Sequence, residues 1–341
     1  MVNMEKNKIF ITGGSGYVGN ILVDRLLAQG HKVTSYDSGL YGYGTHENIK
    51  NDNFQLIKGD LRDINKLEKS IKGHNIVLHL ACVSNDPSFE LKPEISKEIN
   101  FDIFEPLVKI SKNNLVEKFV YCSTGSVYGF SEAEKVTENE KLVPMTQYNT
   151  FKAQCEPILF SYSDKNFLTT IIRPATVCGY SPRMRFDLTV NILTNHAYNN
   201  NVIKVFGGDQ YRPNIHIIDM CRVYETLISA DEKKINCQIF NTGNKNYKIK
   251  DIALKIKDIF KNRLDRDILL DTTHSDDKRS YRLHSEKLET TLNFSFKHDI
   301  DSAVNDLIDS FEKKLFKTDT MKDIDYFNVQ KMKYLFENGE L

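Results

Sequence analysis

The sequence predicts an α/β fold, a doubly wound parallel sheet with a smaller mixed α/β lobe toward its carboxyl end. Three observations carry this. An apolar strand runs directly into a glycine-rich turn and a helix at the amino terminus. Strand and helix patterns then alternate up to residue 172. Beyond Arg173-Pro174 that rhythm gives way to a mixed pattern.

Lys8-Ile9-Phe10-Ile11-Thr12 is a short apolar run with β-branched residues, which reads as a buried strand. Gly13, Gly16 and Gly19 follow at i, i+3 and i+6, with Tyr17 and Val18 between the last two. Ile21-Leu22-Val23 and Leu26-Leu27 then recur at helical spacing and stop at Gly30. The glycines therefore occupy a strand-to-helix turn, where a bare backbone can approach a pyrophosphate and the helix aims its first N–H groups at it. A second strand, Lys32 to Tyr36, ends at Asp37, 18 residues after Gly19. That is close to the ~20 expected for a carboxylate gripping a ribose 2′-hydroxyl. A carboxylate repels a 2′-phosphate and no Arg follows at once, so NAD is expected rather than NADP.

Ser38 to Gly44 is a glycine/tyrosine loop. Strands are expected at 54–58, 76–81, 118–122 and 168–172, and helices at 64–72, about 93–114 and about 147–164. This alternation implies right-handed crossovers and a Rossmann-type sheet, with ligands outside the carboxyl ends of the strands. Gly13, Asp37, Asp60, Ala81 and Thr124 collect at those ends. Further on, helices are expected at 187–199, 219–230, 248–261 and 300–314, and strands at 202–206 and 215–218. Residues 315–341 form a polar and aromatic tail with no functional reading.

Composition narrows the classes. Lys+Arg and Asp+Glu both number 46, so nothing points to a nucleic-acid partner. No apolar run approaches the ~20 residues that span a bilayer, and the first strand begins within ten residues, which leaves no room for a signal peptide. A cytoplasmic protein is expected. The six cysteines show no CxxC pair and the nine histidines no HxxxH spacing, so free thiols and no metal are expected.

Tyr148-Asn149-Thr150-Phe151-Lys152 places a phenol and an ammonium on one helical face. A nearby cation favours the phenolate, and lowering a tyrosine by ~3 units takes about 4 kcal/mol. The product is a base able to take a hydroxyl proton while hydride leaves the same carbon. YxxxK alone is a weak signal; its position after the fifth strand gives it weight. Ser123-Thr124-Gly125-Ser126 lies just past that strand and offers a hydroxyl to orient both phenol and substrate.

Together, TGGSGYVG (12–19), Asp37, GDLRD (59–63), LHLAC (78–82), Asn100, STGSVYG (123–129), YNTFK (148–152), RPATVCG (173–179) and GGDQYRPNIHIIDM (207–220) resemble the extended short-chain dehydrogenase/reductases of the nucleotide-sugar epimerase/dehydratase family. The resemblance implies that Gly13, Gly16, Tyr17, Val18 and Gly19 face the NAD pyrophosphate and Asp37 the adenosine ribose. Asp60 and Leu61 would hold adenine, Ala81 would border the cofactor, and Lys152 would bond the nicotinamide ribose. Tyr148 would be the base and Thr124 the assisting hydroxyl. Arg212 and Arg279 would meet the substrate diphosphate, and Asn191 the substrate itself.

Two departures matter. The family's 4,6-dehydratases carry an Asp-Glu pair after the threonine; Gly125-Ser126 stands here, which disfavours dehydration. Its hexose 4-epimerases usually have an Asn where Thr176 stands, which questions the usual grip on the diphosphate. The run from Ser181 to Asn191, with Ser84 to Pro87, resembles a subgroup that includes GDP-heptose 4-dehydrogenases; Arg183 and Arg185 would take over part of that site. The expected activity is a 4-epimerase type acting on a nucleotide-diphosphate sugar, with a 4-dehydrogenase or 4-ketoreductase as alternatives. The expected division is an NAD-binding domain at 1–175, with a later contribution from about 214–242, and a nucleotide-sugar lobe at 176–314. By resemblance a homodimer pairs the helices near 93–114 and 147–164.

Overall fold

The computed structural model describes residues 6–273 and 280–340. The chain begins with β1 (Lys8–Thr12), α1 (Tyr17–Ala28), β2 (Lys32–Asp37), β3 (Phe54–Lys58), α2 (Ile64–Ile71) and β4 (Ile76–His79). It continues through α3 (Asp86–Phe89), α4 (Pro93–Lys97), α5 (Phe104–Asn113), β5 (Lys118–Cys122), α6 (Gln147–Ser161) and β6 (Leu168–Pro174). β7 (Thr176–Cys178), α7 (Thr189–Asn200), β8 (Val202–Phe206), β9 (Tyr211–His216), α8 (Ile217–Ser229), α9 (Glu232–Ile235) and β10 (Gln238–Thr242) follow. The last elements are β11 (Lys245–Lys248), α10 (Ile249–Leu264), β12 (Leu269–Thr273), α11 (Glu286–Leu292), α12 (Ile300–Glu312) and α13 (Asn328–Glu337).

The central sheet has seven parallel strands in the order β10-β6-β5-β4-β1-β2-β3. The chain enters at β1, runs outward to β3, then returns to β4 on the other side of β1. This reversal opens a crevice at the carboxyl ends of β1 and β4. Side chains alternate across the sheet with period two. Ile9, Ile11, Ile76 and Leu78 pack with Leu22 and Leu26 of α1 and Val223 and Tyr224 of α8. Phe10, Val77 and Phe119 pack on the opposite face with Leu67, Phe104, Leu107 and Leu159. A smaller three-stranded sheet, β11-β9-β7, and the pair β12-β8 lie outside the central one. Helices α7, α10 and α12 bury Val190, Ile256, Phe260 and Val304 together there.

The expected helix over 93–114 is two helices joined by a π-helical turn at Glu98–Asp102, in which the Ile103 amide bonds back to the Glu98 carbonyl. Pro106 has no N–H to give the carbonyl four residues earlier, and it falls in the first turn of α5, where that missing bond costs least. The turn sets Asn100 facing the loop after β4, where its side-chain amide pairs with both the amide and the carbonyl of Val83 at 2.8 and 3.0 Å. The expected strand over 76–81 ends at His79. Residues 315–340 are also more ordered than their polar composition suggests. They form a 3-10 turn at Ile324–Tyr326 and then α13, whose Met332 and Leu335 are buried against Val83 and Ile99.

Candidate active site

A cleft of about 410 Å³ opens at the β1/β4 reversal. Gly13, Gly16, Tyr17, Val18 and Gly19 line it from the first turn, Asp37 from the end of β2, and Asp60, Leu61 and Ala81 from beyond β3 and β4. Thr124, Tyr148 and Lys152 line the same cleft, as do Thr176, Arg183, Arg185 and Arg212. Arg279 falls outside the described residues.

The glycine turn is shaped for close approach. Gly13 has φ +71°, and a Cβ there would lie 2.7 Å from the backbone of Ala81. A Cβ on Gly19 would meet the Gly14 carbonyl oxygen at 2.3 Å, so α1 can start only where it does. Asp37 accepts from the Ser15 amide at 3.0 Å and the Gly39 amide at 2.9 Å, which fixes its carboxylate at the rim of the turn. Burial raises the pKa of that carboxyl, while the two amides and Arg183 oppose the rise. A cradle a Cβ would fill, with a carboxylate anchored beside it, fits the pyrophosphate and ribose of a dinucleotide.

Tyr148 lies in the first turn of α6, whose amino end is capped by the Thr146 hydroxyl. It is 9% exposed. Burial pushes its phenol well above the ordinary tyrosine value; Cys82, Cys122 and Asp86 add to the rise and Arg185 opposes it. The lowered value expected from the sequence needs two cations, Lys152 and the nicotinamide ring of bound cofactor. The protein's own groups give the reverse, because desolvation of a buried phenolate outweighs the nearby charges. Lys152 donates to the Cys122 carbonyl at 2.7 Å and sits 4.9 Å over the Tyr121 ring. Thr124 caps the 3-10 turn Gly125–Tyr128 by accepting from the Ser126 amide at 3.1 Å.

Beneath Thr124 lies a buried ion pair. Ser123 donates to Glu156 at 2.7 Å, and Arg173 binds Glu156 through Nε at 3.0 Å and Nη2 at 2.5 Å. This pair ties β6 to α6 and steadies the threonine turn from below.

The loop from Gly179 to Leu188 forms the far wall. Its shape depends on Asn191, which sequence reading assigned to the substrate. That assignment needs correcting: Asn191 is fully buried and is not among the residues lining the cleft. Its Oδ1 accepts from the Gly179 amide at 3.0 Å, and its Nδ2 donates to the Tyr17 hydroxyl at 3.0 Å and the Arg185 carbonyl at 2.9 Å. The amide is consumed in holding the loop. Tyr17 likewise turns its phenol into the wall, donating to the Gly179 carbonyl at 2.5 Å. Arg185 grips Asp187 through two bonds of 2.9 Å and donates to the Ser84 hydroxyl at 3.0 Å.

Several lining residues escaped the sequence reading. Tyr41 comes from the glycine/tyrosine loop, Ser84, Asn85 and Asp86 from the loop after β4, Tyr281 from before α11, and Asn328 from α13. The loop after β4 carried a signal in its SNDP run. Nothing in the local sequence marked Asn328.

The family model described as "NAD dependent epimerase/dehydratase family" matches residues 9–243. Among curated relatives, a UDP-N-acetyl-alpha-D-glucosaminuronate decarboxylase of Bacillus cytotoxicus is 25% identical over 74% of this chain and 79% of its own length. A UDP-glucose 4-epimerase of Corynebacterium glutamicum is 24% identical over 88% of this chain and 94% of its own. In fold, the chain is similar to UDP-glucuronic acid 4-epimerase from Bacillus cereus, solved in complex with UDP-glucuronic acid and NAD. The TM-score is 0.79 at 24% identity, covering 91% of this chain and all of that one.

Proposed function

The chain belongs to the NAD-dependent epimerase/dehydratase family, and from that premise we propose that it is a nucleotide-sugar 4-epimerase-type enzyme in which Tyr148 takes the proton from the sugar C4 hydroxyl. The observation that carries the reading is the sharing of one cleft. Thr124, Tyr148 and Lys152 line the same space as the Gly13 turn and Asp37.

The assigned roles follow from chemistry. Gly13, Gly16 and Gly19, with the amides at the start of α1, receive the cofactor pyrophosphate, and Asp37 receives the adenosine ribose. What bound NAD supplies is acceptance and return of a hydride at the sugar carbon. Lys152, held by the Cys122 carbonyl, would bond the nicotinamide ribose and favour the Tyr148 phenolate. The Thr124 hydroxyl shares a hydrogen bond with the substrate hydroxyl and the phenol. Arg185, Arg212 and Thr176 line the same cleft; Arg185 would add a second cation on the substrate side, and Arg212 and Thr176 would meet the diphosphate of a nucleotide sugar.

A 4-dehydrogenase uses the same first step and differs in releasing the ketone. The Arg183-to-Asp187 wall, in place of an Asn at position 176, is the observation that favours this second reading. A 4,6-dehydratase is disfavoured, because Gly125 and Ser126 offer no acid/base pair. The test is a panel of UDP-, GDP-, CDP- and dTDP-sugars, uronic acids included, with absorbance of reduced nicotinamide and product NMR as readouts. A stereoisomer without net NADH supports the epimerase, a released ketone supports the dehydrogenase, and silence across the panel contradicts both.

A further inference from the structure

Arg183 is a buried cation whose hydrogen bond and ring contact come from neutral groups. It is 5% exposed. Its Nη2 donates to Oδ1 of Asn328 at 2.6 Å, and its guanidinium lies 4.6 Å over the Tyr41 ring. The carboxylate of its own loop, Asp187, is taken by Arg185. Arg183 Nε has no hydrogen-bond partner, nor has the Tyr41 hydroxyl, and both residues line the cleft. Burial and repulsion by Arg185 pull the Arg183 pKa down to about 10, against the opposing pull of Tyr41, Asp187 and Asp37. Leaving a desolvated charge and two buried donors unused is costly unless an anion answers them.

Asn328 is the element that sets this up. It opens α13, and its Nδ2 donates to the Ser84 hydroxyl at 3.0 Å, the same hydroxyl that receives Arg185. One amide therefore ties the loop after β4 to both arginines. Met332 and Leu335 of α13 anchor it against Val83 and Ile99. An amide holds a guanidinium in place without neutralising it, whereas a carboxylate at this position would cancel the charge. Its ring partner Tyr41 stands in the loop that follows Asp37, and the Gly39 amide of that loop donates to the Asp37 carboxylate, so Arg183 lies beside the dinucleotide side of the cleft.

We infer that Asn328 is a positioning residue: from the carboxyl-terminal helix it aims Arg183, with Tyr41, at the diphosphate of the bound dinucleotide while leaving the arginine charge free. The inference rests on NAD as the cofactor and moves Arg183 off the substrate diphosphate, where the resemblance would put it.

The test is calorimetric titration of the full-length protein and its Asn328→Asp and Asn328→Ala variants with NAD, ADP-ribose, adenosine and UDP, beside thermal melts. Asn328→Asp gains an ion pair with Arg183, so its melting temperature should hold or rise while NAD and ADP-ribose bind about tenfold more weakly. Adenosine, which has no diphosphate, should bind both forms alike. Asn328→Ala should weaken NAD in the same sense. A purely structural role predicts instead that Asn328→Asp binds NAD like the parent protein, and that result overturns the inference. So does a loss confined to UDP. If the parent protein fails to bind NAD at all, the cofactor reading falls with it.

Discussion

The ammonium of Lys152 lies 2.7 Å from the carbonyl oxygen of Cys122, so the charge on α6 is latched to the end of β5. That latch fixes a cation one helical turn from Tyr148, at the mouth of a cleft whose opposite wall carries a second cation, Arg185. The Tyr148 phenol is buried, and its acidity is a balance in which desolvation, Cys82, Cys122 and Asp86 raise the pKa and Arg185 opposes the rise.

Removing Arg185 should therefore be visible in a pH profile. Its charge favours the phenolate, so Arg185→Gln disfavours it and raises the apparent pKa of the base. The acid limb of kcat should move to higher pH by ~1 pH unit. An unchanged limb with only KM raised would confine Arg185 to binding.

The glycine turn offers a sharp steric test. Gly13→Ala adds a Cβ 2.7 Å from the Ala81 backbone, at φ +71° where an L residue is strained. The expected cost is about 1–3 kcal/mol of stability together with loss of NAD binding. Denaturant titration and calorimetry check the two parts separately. Unaltered NAD affinity would remove the turn from the cofactor site.

The Glu156–Arg173 pair is 4% exposed on each side chain. Glu156→Ala strands a buried guanidinium and should cost about 3–5 kcal/mol in equilibrium unfolding. Replacing both residues with apolar side chains of similar volume should cost far less. If the single and double variants unfold alike, the pair does not carry the strength assigned to it.

His79 gives stability a pH dependence. It is buried beside Thr12 at 2.7 Å, and burial, reinforced by the Lys152 charge, lowers its pKa from 6.5 to about 3. The unfolded chain then takes up a proton that the folded one refuses. Stability from this site is complete above pH 6.5 and is lost as the pH falls from there toward 3. Each pH unit in that window costs up to about 1.4 kcal/mol. His79→Gln should be weaker at neutral pH yet flatter on acidification. An equally steep acid loss in the variant would assign the effect elsewhere, with His46, lowered to about 4, as the next group to test.

The parts of the molecule legible in the sequence are those whose signals are local. Ile9 and Ile11 on one face and Phe10 on the other announce a strand buried on both sides. The spacing from Gly19 to Asp37 is a property of one βαβ unit and needs no tertiary knowledge. The π turn before Pro106 was missed because apolar periodicity persists across it while only the hydrogen bonds change register. The substrate role of Asn191 comes from the family resemblance alone, and a motif match does not say which neighbour consumes a buried amide. Asn328 meets Arg183 from 145 residues away in the chain, on a short helix in a polar segment, and no local pattern can announce such a pairing.

The most direct test of the account is Tyr148→Phe, measured for NAD affinity and for turnover of whichever nucleotide sugar the panel identifies. The account predicts near-parental NAD binding with turnover reduced by about 10²–10⁴-fold, since only the proton acceptor is gone. Turnover that survives the loss of the hydroxyl would contradict the assignment of Tyr148 as the base.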